Sequence, residues 1–573
     1  MSTIDKQSGF IKQAGILAGA GIICRIIGIL YRSPLTGIIG DEGNGYYSSA
    51  YNIYTIILLV SSYSIPAAIS KVIAGKLALE QYKNAHKTFR AALLYVCVVG
   101  GIASLFTFFG AGLLVQHNSA AVLRIFAPTI FLSGILGVLR GYFQAHGTMF
   151  PTSISQIVEQ ILNAAVSIGA AIGFIALADA SSDTERAIYG ASGSALGTGC
   201  GVLSALLLMF LIYTLNKRGI LRRAERDRHT EEESYGQIFK GILAVVTPFI
   251  LSTFIYNLST SLNQSVYTFI SSELKGMEEA AIATNYGIFA GKAVVISNIP
   301  IALAAAMSSA VIPSIASSFA QKEKKQVRRK IKDAIRVTML IAIPSAAGLI
   351  ALARPVTQLL FPQKASLDQA SFLLMALGIS VIFYSLSTLT NAILQGLGKV
   401  NKPVINATIA LLIQTVILIA LLLYTDLGLY ALAISMVIYS FLMCVLNGVD
   451  VRSAVRYKQE YTATFLKPLM ASVLMGMAAF GIYEGVMLLL PGMDERIANV
   501  ICLVPALILA GIIYFASVMA LGGATEKDLM RLPKGRLLVQ IGRRCYLLRE
   551  EPTRKSKKKK RKLESENDPG NDD

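Results

Sequence analysis

The chain of 573 residues is 54% hydrophobic and only 15% charged, with a mean hydropathy of +0.58. Soluble domains carry about 25% charged residues, so composition excludes one and points to an all-α polytopic membrane protein. The net charge of +19 would suggest nucleic acid in a soluble protein; here it sits mostly in short loops between hydrophobic segments, and no nucleic-acid partner is expected.

A helical span needs about 20 mainly apolar residues. Fourteen such stretches are predicted: 11–39, 46–79, 88–115, 120–145, 152–178, 188–215, 238–271, 282–319, 333–353, 368–397, 402–425, 427–447, 463–490 and 497–521. The first is too long for a signal-peptide core and lacks a small-residue cleavage site, so it reads as a retained helix. Loops at 80–90, 216–237, 321–333, 399–402 and 450–459 are rich in Lys and Arg, whereas 41–45, 179–186, 271–279 and 491–496 lean acidic. Under a fourteen-span count the two sets fall on opposite sides, which predicts both termini in the cytoplasm. Cysteines 24, 97, 200, 444, 502 and 545 show no metal-ligand or CxxC spacing, so neither a metal site nor a disulfide framework is expected.

A faint duplication runs through the chain. Ile65-Pro66-Ala67-Ala68-Ile69-Ser70 closes the second span and Ile312-Pro313-Ser314-Ile315-Ala316-Ser317 the eighth. Gln144, Gly147 and Pro151 recur as Gln395, Gly398 and Pro403. Both offsets are about 250 residues, the mark of a repeated six-helix unit with a site between two same-orientation bundles. The expected organisation is a six-helix lobe at 1–215, a basic linker at 216–237, a second six-helix lobe at 238–447, two added helices within 448–521, and a basic tail at 522–573. The run 554–562, RKSKKKKRK, reads either as a segment near anionic headgroups or as a merely solvated tail.

Charge inside a span costs about 2.5–3.5 kcal/mol at mid-membrane on insertion scales. Arg25 and Arg32, seven residues apart, share one face of the first helix, and Lys292 lies deep in the eighth. Three such cations with almost no carboxylate to neutralise them point to an anionic ligand, phosphate or diphosphate. Gln156, Glu159, Gln160 and Asn163 form one stripe of the fifth span, and Asn257, Ser261 and Gln264 a stripe of the seventh. Such stripes line a polar cavity or hold helices together. Lys71 and Arg140, near cytoplasmic span ends, serve as headgroup anchors or a cytoplasmic gate, and Arg354 is an anchor at the other end. The segment Gly287-Ile288-Phe289-Ala290-Gly291-Lys292-Ala293 imitates a phosphate loop but is one residue short and lacks the hydroxyl residue after Lys. No enzyme signature is found, and no catalytic residue is assigned.

Several stretches resemble the multidrug/oligosaccharidyl-lipid/polysaccharide exporter superfamily, and within it the MurJ-type lipid II flippases and the related stage V sporulation protein B group. They are SIPAAISKVIAGK (64–76), RGYFQAHGTMFPTSISQIVEQI (140–161), YGIFAGKAVVISNIP (286–300), PVTQLLFP (355–362), AILQGLGKVNKP (392–403) and LGGATEKDLMRLPKG (521–535). The resemblance implies about fourteen helices, with two six-helix lobes in a pseudo-twofold V around a cationic cavity. It also implies a lipid-tail groove beside the last two helices. It further implies a bacterial cytoplasmic membrane protein that moves an undecaprenyl-diphosphate-linked saccharide, best guessed as lipid II, between leaflets by alternating access, in company with cell-wall synthesis proteins. The family's first-helix arginines match Arg25 and Arg32, spaced one residue wider here. Its eighth-helix arginine corresponds to Lys292, and an arginine near its second helix has no counterpart. No cofactor is expected; a coupling ion or the membrane potential as driving force stays open. Rival readings are a flippase for a capsule, teichoic or spore glycan, and a cation-coupled drug exporter. The exporter would need a carboxylate deep in the first or seventh span, and none is found there.

Overall fold

A computed structural model describes residues 3–63, 65–178, 182–227, 231–361, 363–530 and 535–544, and its regular elements are all helical. Among the described residues, twelve helices are long and apolar enough to cross a membrane. The first of these, Gly19–Ser62, has 44 residues; at 1.5 Å per residue it would run about 66 Å, twice the hydrocarbon thickness of about 30 Å. It breaks at Gly40, where φ is 71° and ψ −179°, a backbone region essentially reserved for glycine. Across the break Asn44 Nδ2 donates to Thr36 Oγ1 at 2.8 Å, although eight residues of straight helix span about 12 Å. Arg32 likewise lies within electrostatic reach of Tyr47 and Tyr51. The chain therefore turns back at Gly40, giving α1 (3–39) and α2 (41–58, continued past a π turn at Leu59–Tyr63 by Ile65–Ala78).

The remaining long helices are α3 (Tyr82–Leu114), α4 (His117–Ala145), α5 (Phe150–Leu177), α6 (Asp183–Arg226), α7 (Tyr235–Phe269), α8 (279–320, with a π segment at Gly287–Ala293), α9 (Lys324–Ala351), α10 (Leu367–Gly396), α11 (Asn401–Tyr424), α12 (Leu429–Val455), α13 (Lys467–Met487) and α14 (Glu495–Ala520). Splitting the first stretch at Gly40 and adding α7 to the twelve apolar helices yields fourteen crossings. Short helices α15 (Glu526–Leu529) and α16 (Gly535–Arg544) follow. One expectation is corrected. The acidic segment 41–45 is not a loop but the first turn of α2, because Gly40 alone makes the reversal.

Two close approaches set the site. On α6, a Cβ at Gly193, Gly197 or Gly201 would stand 2.5 Å from Ala170 backbone, 2.2 Å from Ser167 Oγ and 2.6 Å from the Glu159 carbonyl oxygen. In lipid, where helices gain little from hydrophobic burial against each other, such backbone contact drives association, and here it fixes the azimuth of α5. Between α2 and α8, a Cβ at Gly45 would stand 1.8 Å from the Ala283 carbonyl oxygen and one at Gly287 1.9 Å from that of Asp41. The glycines of the apparent phosphate loop thus serve helix contact. Apolar cores join α2–α4 with α6, α8 with α10–α12, and α9 with α13, α14 and the short C-terminal helices. Helix α7 starts in the first of these cores with Ile238 and Ile242, and ends in the second with Tyr267.

Candidate functional site

The reversal at Gly40 faces the middle of α1 toward the aromatic side of α2. Arg32 keeps partial exposure there, hydrogen-bonded to Tyr31 and beside Tyr47 and Tyr51. Tyr51 and Tyr54 pack on Phe126 of α4, with ring centroids 5.9 and 4.8 Å away. Arg25, two turns back on the same face, is exposed. Among the described residues no carboxylate forms an ion pair with Arg25 or Arg32.

Lys292 is held differently, and the expectation of a cation lacking a carboxylate is corrected. Only 1% exposed, its Nζ lies 2.6 Å from Asp41 Oδ1 and donates to Ser366 Oγ at 2.6 Å. The Ser366 hydroxyl in turn donates to Asp41 Oδ2 at 2.5 Å. Sequence reasoning missed Asp41 and Ser366, which stand in segments expected to be loops. The triad ties α2 to α8 and to the segment before α10. Around it, the Asn118 amide donates to Glu279 Oε1 at 2.8 Å. Asn52 Nδ2 donates to Gln264 Oε1 at 2.6 Å and to Tyr286 Oη at 2.8 Å. Ser261 Oγ donates to the Asn52 carbonyl at 3.3 Å. Gln264 and Ser261 of the α7 stripe therefore fasten α7 to α2, while the side chain of Asn257 lies outside the described residues. Together these contacts close the acidic-loop end of the bundle between its two halves.

The α5 stripe divides by depth. Glu159 Oε2 accepts from Arg140 Nη2 at 2.7 Å, and Arg140 Nε donates to Ser155 Oγ at 2.9 Å. Gln160 meets α1, its Nε2 3.4 Å from where a Gly28 Cβ would be. Asn163 Oδ1 accepts from Ser167 Oγ at 3.0 Å and from Thr198 Oγ1 at 3.4 Å, joining α5 to α6. Gln156 is half-buried, Lys71 is exposed, and Arg354 pairs with Asp368 at 3.5 Å.

Bundled crossings, glycine-mediated contacts and buried polar ties between two halves define a multi-pass helical membrane protein. Residues 71–492 match the family model described as "Lipid II flippase MurJ", and the chain belongs to that family. It is 25% identical over 462 residues to the lipid II flippase MurJ of Bacillus subtilis (strain 168), covering 76% of this chain and 82% of that protein. It is 25% identical over 469 residues to stage V sporulation protein B of the same organism, covering 80% and 86%. A solved structure titled "Lipid II flippase MurJ, inward closed conformation" superposes with a TM-score of 0.63 at 16% identity, covering 87% of this chain and 97% of that one, which speaks to the fold alone. The family is one of transporters rather than catalysts.

Proposed function

We propose that this protein carries an undecaprenyl-diphosphate-linked saccharide, lipid II in particular, from the cytoplasmic to the outer leaflet by alternating access. The observation that carries the reading is the contrast among the cations of the spanning helices. Lys292 and Arg140 have carboxylates, whereas among the described residues the partly buried Arg32 and the exposed Arg25 on the same face of α1 pair with none. A diphosphate offers charge-assisted acceptors matched to two guanidinium groups. In this reading the basic-loop end is cytoplasmic and the triad Asp41–Lys292–Ser366 is the outer gate. Lys292 joins the diphosphate site only after leaving Asp41, so arrival of the anion and opening of the gate favour each other. The half-buried Gln156, Glu159 and Gln160 of α5 receive the saccharide, and the tail stays in lipid beside α13 and α14. A cationic site of this kind senses the membrane potential.

The test is depletion of a host's own lipid II flippase with this protein supplied in its place, scoring lipid II exposed on the outer leaflet. Wild type restores exposure, and membrane-inserted Arg25→Ala and Arg32→Ala variants do not. Wild type that inserts but exposes no lipid II sinks the assignment. The substrate would then be another lipid-linked glycan, a reading the similarity to stage V sporulation protein B also supports.

A further inference from the structure

Beyond α14 the chain stays on the bundle. Thr525 and Asp528 form a capping box that opens α15. Asp528, 3% exposed, lies with Oδ2 3.0 Å from Arg336 Nε of α9, and Arg336 Nη2 donates to the Gly523 carbonyl at 2.9 Å. Leu529 and Val539 pack into one core with Val518, Met519 and Tyr514 of α14. These contacts seat α16 at the foot of α9 and α14. The level of that foot follows from α9, whose first turns carry Lys324, Lys325, Arg328, Arg329, Lys330 and Lys332 before its apolar stretch begins. Arg336 stands just past these cations, so α16 is held near the headgroup zone.

The helix is two-sided. Val539 and Gly542 are buried, while Arg536, Leu537, Gln540, Arg543 and Arg544 are exposed. At about 100° per residue the exposed set falls within one arc of about 120°. Arg543 reaches back to Glu526 through two hydrogen bonds of 2.7 and 2.9 Å, which locks the rotation of α16 on α15. The outward stripe therefore presents arginines around one leucine at a fixed orientation. Met530, also exposed, sits just before it in sequence, and the run 554–562 after it is basic at eight of nine positions. Cations flanking an apolar side chain at headgroup level match the chemistry of an anionic lipid surface, where charge attracts and leucine inserts.

We propose that the exposed stripe of α16 is a docking surface for anionic phospholipid headgroups. This rests on the stripe and its level, not on which saccharide is carried. The test uses the full-length protein in nanodiscs of phosphatidylcholine alone or mixed with phosphatidylglycerol, and reads hydrogen exchange of residues 535–544. Phosphatidylglycerol slows exchange there by roughly thirtyfold, as expected for two cations drawn to a charged surface, and high salt removes the gain. Arg536→Glu with Arg544→Glu abolishes the gain, Arg536→Lys with Arg544→Lys retains it, and residues 521–529 stay protected in both. Equal exchange in the two lipids, or a gain that survives the double Glu variant, overturns the proposal; equal exchange would leave the stripe to an acidic soluble partner.

Discussion

Lys292 and Asp41 show how a single buried charge divides its roles. An ammonium at 1% exposure is tolerable because a carboxylate and a hydroxyl close on it, and removing one member of a buried pair leaves an uncompensated charge that typically costs about 3–5 kcal/mol. Asp41→Asn is therefore expected to lower the thermal stability of the purified protein and loosen the acidic-loop end. Asp41→Lys combined with Lys292→Asp recovers a good part of the loss. Melting followed by size-exclusion of heated samples reads this directly, since the chain has no tryptophan. An Asp41→Asn protein that melts with wild type would mean the triad contributes nothing. At this scale the candidate site was half legible. Arg25, Arg32, Lys292 and Glu159 stood out as charges in apolar runs, but Asp41 did not, because its position at the edge of a span made it read as an ordinary loop carboxylate.

At the scale of elements, contact between α2 and α8 depends on glycine. With a Gly45 Cβ only 1.8 Å from the Ala283 carbonyl oxygen, even Gly45→Ala must push the helices apart, since backbone cannot give as a flexible side chain can. Spin labels at His117 and Glu278, both exposed and next to the Asn118–Glu279 contact, are expected to show a longer distance in Gly45→Ala than in wild type. Identical distance distributions would show the closure to be held elsewhere. The 3.6-residue period of the α5 stripe was readable in advance. That Asn163 joins α6 while Glu159 meets Arg140 was not, because rotation of α5 is set by a glycine ladder on another helix.

Across the whole molecule, α7 is the strap between halves, and its start is held by a clasp. Glu233 pairs with Lys76 at 2.5 Å, and Glu232 with Lys83 at 2.5 Å and Lys87 at 3.3 Å. Asn84 donates to the Glu231 carbonyl at 2.9 Å and accepts from the Glu233 amide at 3.1 Å. Hydrogen bonds from Lys83 and Lys87 hold the Glu232 carboxyl below its ordinary value of 4.5. A carboxyl lowered in the folded state stabilises it fully above the unfolded value, and the contribution is lost as pH falls through the folded one. The clasp should thus be constant from neutral pH down to about 5 and loosen in more acid solution. Hydrogen exchange of residues 231–237, corrected for intrinsic rates, should rise there, and Glu232→Gln should show the acid behaviour at neutral pH. Protection that is flat through the acid range would rule the clasp out as a charge device.

The class of the protein, the positions of its crossings and the charge asymmetry of its loops were determined by the sequence alone. The reason is local: a spanning helix satisfies its own backbone, so a window of apolar residues identifies it without knowledge of any neighbour. Local pattern stops at the partner. Lys292 finds Asp41 from 251 positions away, Asn52 finds Gln264 from 212, and Arg336 finds Asp528 in a segment past the last crossing. Those pairings follow from how close two backbones can come and how each helix is rotated. Only the tertiary structure decided which cations are neutralised, which polar faces are joints, and which end of the bundle is closed.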